Sequence, residues 1–160
     1  MYDALDVARH IVNYCNEKNY SISNLKLQKL LYFVQAYFLI ASPNKERCFR
    51  DEIQAWDFGP VVPNVYSEFK QFGGTNIPKI SVYYDSSLGS FYADPIQFKD
   101  DKIAKNDQEL IDEVIEKFKL YTASDLVKLT HAQTPWQDAY ARGYSKEIKV
   151  EAIRDYFAGE

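Results

Sequence analysis

From Ser23 to Ala41 the chain carries a helix pattern that is apolar on more than one side. Leu27, Leu30, Leu31, Val34, Phe38 and Ala41 recur at helical spacing on one face, and Phe33, Tyr37 and Ile40 add a second. A helix with two apolar faces must be covered on both, so this segment belongs at the centre of a bundle. Ser23 is placed to cap its start, and Ser42-Pro43-Asn44 stops it.

The flanking segments supply the covering elements. Leu5, Val7, Ala8, Ile11, Val12 and Cys15 form an apolar stripe on a first helix that Asp3 can cap and that ends by Asn19. Phe49 to Trp56 reads as extended. Gly59 and Pro60 then make a sharp turn, and Pro63 opens a helix that runs to about Phe72, before Gly73-Gly74. Ile80–Tyr84 and Ser90–Ala93 read as a β-hairpin bounded by Pro78 and Pro95. Further helices are expected from an Asn106/Glu109 capping box, after Thr122, and at Thr134-Pro135-Trp136-Gln137; a short strand at Ile148–Val150 and a helical turn at Ile153–Phe157 follow. The predicted fold is α+β and predominantly α-helical, a compact domain over residues 1–160 with a small β-hairpin or short antiparallel sheet. Neither a repeat nor a linker divides it.

Three patches carry a family resemblance: Leu25-Lys26-Leu27-Gln28-Lys29-Leu30-Leu31-Tyr32-Phe33, then Ala55-Trp56-Asp57-Phe58-Gly59-Pro60-Val61-Val62-Pro63, then His131 through Trp136. In order and spacing they resemble the Panacea domain, the family of the SocA-like antitoxins and the phage-associated GepA-like proteins. The resemblance runs from about Ala4 to Tyr140. It implies an antitoxin of a toxin–antitoxin module that neutralises its cognate protein toxin by direct binding, the toxin being encoded by the adjacent gene. Occlusion of the toxin, a locked conformation and delivery to a protease all remain open as the mode. The alternative from the same family is a phage-associated accessory protein that binds a host or phage factor.

Composition bears on these readings through aromatics and charge. The 13 Tyr, 10 Phe and 2 Trp in 160 residues are too many to hide entirely, and Tyr and Trp at a surface suit partner binding. A net charge of −4 argues against nucleic-acid binding by the isolated domain. The two cysteines, Cys15 and Cys48, match no redox or zinc spacing, and His10 has no partner at metal-ligand spacing, so neither a metal nor another cofactor is expected. The longest apolar stretch, Leu30 to Ala41, is too short to span a bilayer, and Asp3 and Asp6 stand where a secretory signal would be basic. A cytoplasmic protein without membrane attachment is expected; the oligomeric state is not readable.

The candidate site residues follow from the patches. Trp56, Asp57, Phe58, Gly59 and Pro60 form a compact aromatic turn that either anchors on the core or presents a rigid surface to a partner. Tyr66, one turn into the next helix, extends it. Lys26 and Lys29, three apart on the central helix, read as solvated or as a positive rim that steers an acidic partner, Lys29 being the candidate contact. Tyr83 and Tyr92 on the hairpin are candidates for partner choice. His131, Pro135 and Trp136 read as a structural motif, with Trp136 packing the last helix on the core. Asp57-Phe58-Gly59 spells the kinase magnesium tripeptide, but the glycine-rich loop, strand lysine and catalytic loop that a kinase needs are missing. No catalytic residue is assigned and no enzyme is expected. The less favoured enzymatic reading pairs His131 with Asp57 or Asp138, which requires a polar cleft joining them.

Overall fold

A computed structural model describes residues 1–85 and 94–159. Helices α1 (Ala4–Glu17) and α2 (Asn24–Ala41) lead into β1 (Gln54–Trp56) and β2 (Gly59–Val61). Helix α3 (Pro63–Phe69) then continues as a 3-10 turn over Lys70–Phe72. After β3 (Val82–Tyr83) and β4 (Ile96–Gln97) come α4 (Lys105–Phe118), α5 (Ala123–His131), α6 (Thr134–Ala141), β5 (Lys146–Glu147) and α7 (Val150–Ala158). Helices dominate this α+β fold, and among the described residues two antiparallel sheets have strand orders β2-β1-β5 and β3-β4.

Helix α2 lies at the centre, as its two apolar faces require: 14 of its 18 residues are buried, and α1, α3, α4, α5 and α7 all pack on it. Its N-terminus is capped by Ser23, whose hydroxyl accepts from the Lys26 amide. Phe33 stacks on Phe118 of α4 at 4.4 Å and meets Phe157 of α7 edge-on, and Tyr32 meets Phe157 edge-on as well. Buried polar residues on α2 have a distinct task. Asn24 Nδ2 donates to the Tyr66 carbonyl, Gln28 Oε1 accepts from the Val62 amide, and Gln35 bonds both Cys48 and Phe49. Spaced four and seven residues apart, they share one helical stripe and satisfy backbone groups of the segments that pack against the helix.

Several boundaries differ from the sequence expectation. α4 starts at Lys105 after Ala104, with no side-chain cap, so the Asn106/Glu109 box does not form. Gln133 rather than Thr134 precedes α6, and its side chain is spent on the Tyr32 hydroxyl at 2.7 Å instead of on the helix end. β3 pairs with Ile96–Gln97, and Pro95, which has no N–H to give, stands just before the paired residues; the expected strand Ser90–Ala93 lies outside the described residues. Residues 86–93, with the candidate Tyr92, lie outside the described residues. β5 falls at Lys146–Glu147, two residues before the expected strand, and α7 begins at Val150.

His10 of α1 is buried between two carboxylates, Nδ1 at 3.1 Å from Asp100 and Nε2 at 2.6 Å from Asp112. Burial pulls its pKa down, but the two carboxylates outweigh that and hold it above the ordinary histidine value. The result is an electrostatic pin joining α1, α4 and the segment between β4 and α4. Among the described residues, no helix is long and apolar enough to cross a membrane.

Candidate functional site

The three sequence patches, far apart in the chain, meet at one turn. β1 and β2 pair Trp56 with Gly59, which leaves Asp57 and Phe58 as a two-residue connection. Positive φ falls on Gly59, at +110°, where a Cβ would also lie 2.7 Å from Lys29 Cε and 2.9 Å from Thr130 Oγ1. Only glycine fits that backbone and that gap. Phe58, at the tip, is 67% exposed.

From the outer side, α5 and α6 clip the turn in place. The Trp136 indole N–H donates to the Trp56 carbonyl at 2.9 Å. His131 Nε2 lies 3.0 Å from the Asp57 carbonyl, which assigns its proton to that nitrogen. The Tyr140 hydroxyl donates to the Asp57 carboxylate at 2.5 Å, and that bond raises the phenol above its ordinary pKa. The three clipping rings form a single stack, His131 on Trp136 at 4.1 Å and Trp136 on Tyr140 at 4.6 Å. Pro135 is buried and occupies the first turn of α6, where its missing N–H costs no helical bond. On the other flank Trp56 meets Tyr66 edge-on at 5.1 Å and lies 5.9 Å from the exposed Tyr144.

Lys29 is neither a rim nor a solvated residue. It is completely buried, with its ammonium nitrogen 2.9 Å from the Pro60 carbonyl, and it cannot touch a partner. Burial without a carboxylate pushes its pKa down to about 7. Lys26 is also buried, its Nζ donating to the Lys119 carbonyl at the end of α4. The rim reading failed because a helix covered on all sides takes its lysines inside. Gly59 and Pro60 are buried too, so the part of the turn open to a partner is Asp57 and Phe58, with Trp56 and Tyr66 half-buried beside them.

Tyr83 belongs to the separate β3-β4 sheet. One face of its ring is covered by the Arg9 guanidinium at 3.7 Å, with Lys102 at 5.6 Å, so it is a packed rather than a free aromatic. His131 and the Asp57 carboxylate do not pair: the imidazole meets the main-chain carbonyl, and the carboxylate accepts from Tyr140. The base and orienting group of the enzymatic reading are therefore not assembled from these two. Sequence reasoning missed Tyr140, Tyr144 and Thr130. Trp136 and Tyr140, four apart on α6, carried a legible signal for the stack; Thr130 and Tyr144 carried none.

The turn is thus a hairpin tip clipped by aromatic side chains and carried on a helical body. Residues 27–137 match the family model of the SocA-like antitoxins, Panacea domain, and the chain belongs to that family. It is 35% identical over 145 residues to Antitoxin SocA of Caulobacter vibrioides (strain NA1000 / CB15N), covering 88% of this chain and 71% of that one. No solved structure matches it significantly.

Proposed function

We propose that this protein is an antitoxin that neutralises a protein toxin, encoded by the adjacent gene, by binding it directly through the β1–β2 tip. The observation that carries this reading is a large apolar side chain, Phe58, held out in water on a turn fastened by four side chains: Trp136, His131, Tyr140 and Lys29. Exposing a phenylalanine has no folding benefit, and fixing its backbone beforehand lowers the ordering cost of association. An aromatic anchor beside a carboxylate suits a pocket with a basic edge on the partner.

Co-expression with the product of the adjacent gene tests this, scoring growth rescue and co-purification together. Rescue with a stable complex is the expected outcome, and Phe58→Ser should weaken that complex by about 100-fold, as loss of an interface anchor does, without lowering the melting temperature. Rescue without a complex, or a Phe58→Ser protein that binds like its parent, overturns the tip as the contact. A harmless neighbour and no complex would turn the reading to an accessory protein with a host or phage partner.

A further inference from the structure

The reverse side of the turn holds an unusual group, a completely buried lysine whose Nζ donates to the Pro60 carbonyl, with no carboxylate paired to it among the described residues. A buried ammonium is among the costliest side chains to desolvate, so its place calls for a local reason. Sheet geometry supplies one. Ala55 faces Pro60 across the hairpin, and the Ala55 carbonyl turns the other way, to accept from the Ser145 amide at 3.0 Å. Residues opposite one another in such a pair both direct their main-chain groups outwards, so the Pro60 carbonyl faces the open edge of β2. Proline at this place wastes no donor, because its N–H would point out as well.

That edge is buried against α2, where an unpaired carbonyl would be costly. α2 supplies what a fourth strand would: Lys29 Nζ to the Pro60 carbonyl, and Gln28 Oε1 to the Val62 amide two residues on, both at 2.9 Å. Lys29 also reaches past Gly59, where its Cε and Thr130 Oγ1 fill the space a Cβ would take. Edge and tip are thus set against the same side chain.

We infer that Lys29 is the positioning residue of the contact turn: its Nζ bond to Pro60 and its stem under Gly59 set the height and tilt at which Asp57 and Phe58 are offered to a partner. The inference rests on the tip being the contact. A charge at Lys29 is not required for this role; a donor of the right reach is.

The test uses Lys29→Met, which keeps the volume and loses the donor, and Lys29→Gln, which keeps a shorter donor. Amide NMR of the free protein is read first. Lys29→Met should shift the Phe58, Gly59 and Val61 amide signals while leaving those of α4 and α7 in place, and Lys29→Gln should return them part of the way. Binding to the adjacent-gene product should then fall at least tenfold for Met and recover at least threefold for Gln. Unmoved turn signals in a folded Lys29→Met protein overturn the inference, as does unchanged binding where Phe58→Ser weakens it. If Phe58→Ser and Lys29→Met both bind like the parent, the contact reading fails, and the turn signals alone decide whether Lys29 positions the turn. Should Lys29→Met not fold, the same readings are made on Lys29→Gln, and turn signals and binding identical to the parent's at its shorter reach overturn the inference.

Discussion

Gly59 is the residue with the least freedom to change. Its φ of +110° disfavours any side chain, and even a methyl group would press on Lys29 Cε and Thr130 Oγ1. Gly59→Ala should cost roughly 2 kcal/mol from backbone strain and crowding together. Urea unfolding measures this as a lower midpoint with an unchanged slope. Phe58, one residue earlier, should behave in the opposite way. Its ring is mostly in water, so Phe58→Ser changes stability by no more than about 0.5 kcal/mol, and its effect appears in partner binding alone. Adjacent residues with opposite roles are what the proposed contact turn requires.

At the scale of the element, the hairpin does not hold its shape unaided. β1 and β2 have three residues each, too few for an independent hairpin, so the clip from α5 and α6 fastens the tip from one side as Lys29 does from the other. Trp136→Phe keeps a ring in the stack but removes the indole N–H that bonds the Trp56 carbonyl. The expected loss is about 1 kcal/mol, the usual net worth of one such bond, together with faster hydrogen exchange at the Phe58 and Gly59 amides. Unchanged exchange at those amides would show that the strands and Lys29 suffice. The start of α5 after Thr122 was legible in the sequence, and the structure shows what fixes it there: Thr122 and Asp125 form a reciprocal capping box. α6 was legible as a helix but not in its cap, because Gln133 was claimed by Tyr32 from another part of the chain.

For the whole molecule, stability should concentrate around α2. Phe33→Ala removes the ring that joins α2 to α4 and α7, and a loss of about 3–5 kcal/mol is expected, a large share of the total for a domain of this size. The pH profile should contain two opposing slopes. Lys29 is held below its unfolded value of 10.5, at about 7, so the unfolded chain binds more protons between those values and stability rises with pH across that window. His10 is held above its unfolded value of 6.5, so its contribution is complete below that pH and is lost as pH rises through the folded value. Denaturant midpoints from pH 6 to 9 should therefore climb less steeply in Lys29→Met than in the parent, and fall less steeply in His10→Asn. Parallel profiles for parent and Lys29→Met would mean that the lysine stays charged in its buried site.

Central α2, its Ser23 cap, most of the helices and the turn around Gly59 could be read from periodicity and turn chemistry, because those signals are local and repeat along the chain. Residue order also revealed the family, through three patches whose order and spacing resemble it. Their meeting at one surface was a matter of tertiary structure. The bonds that clip the tip join residues 74, 80 and 83 positions apart, and separations of that length leave no period to detect. The same holds for Lys29. Its sequence neighbours make it look like a surface lysine, and only the open edge of β2, 31 residues further along, gives a buried ammonium a carbonyl to bond. Asn24, Gln28 and Gln35 went inside for the same reason: backbone groups packed against a central helix are satisfied by that helix's own polar side chains.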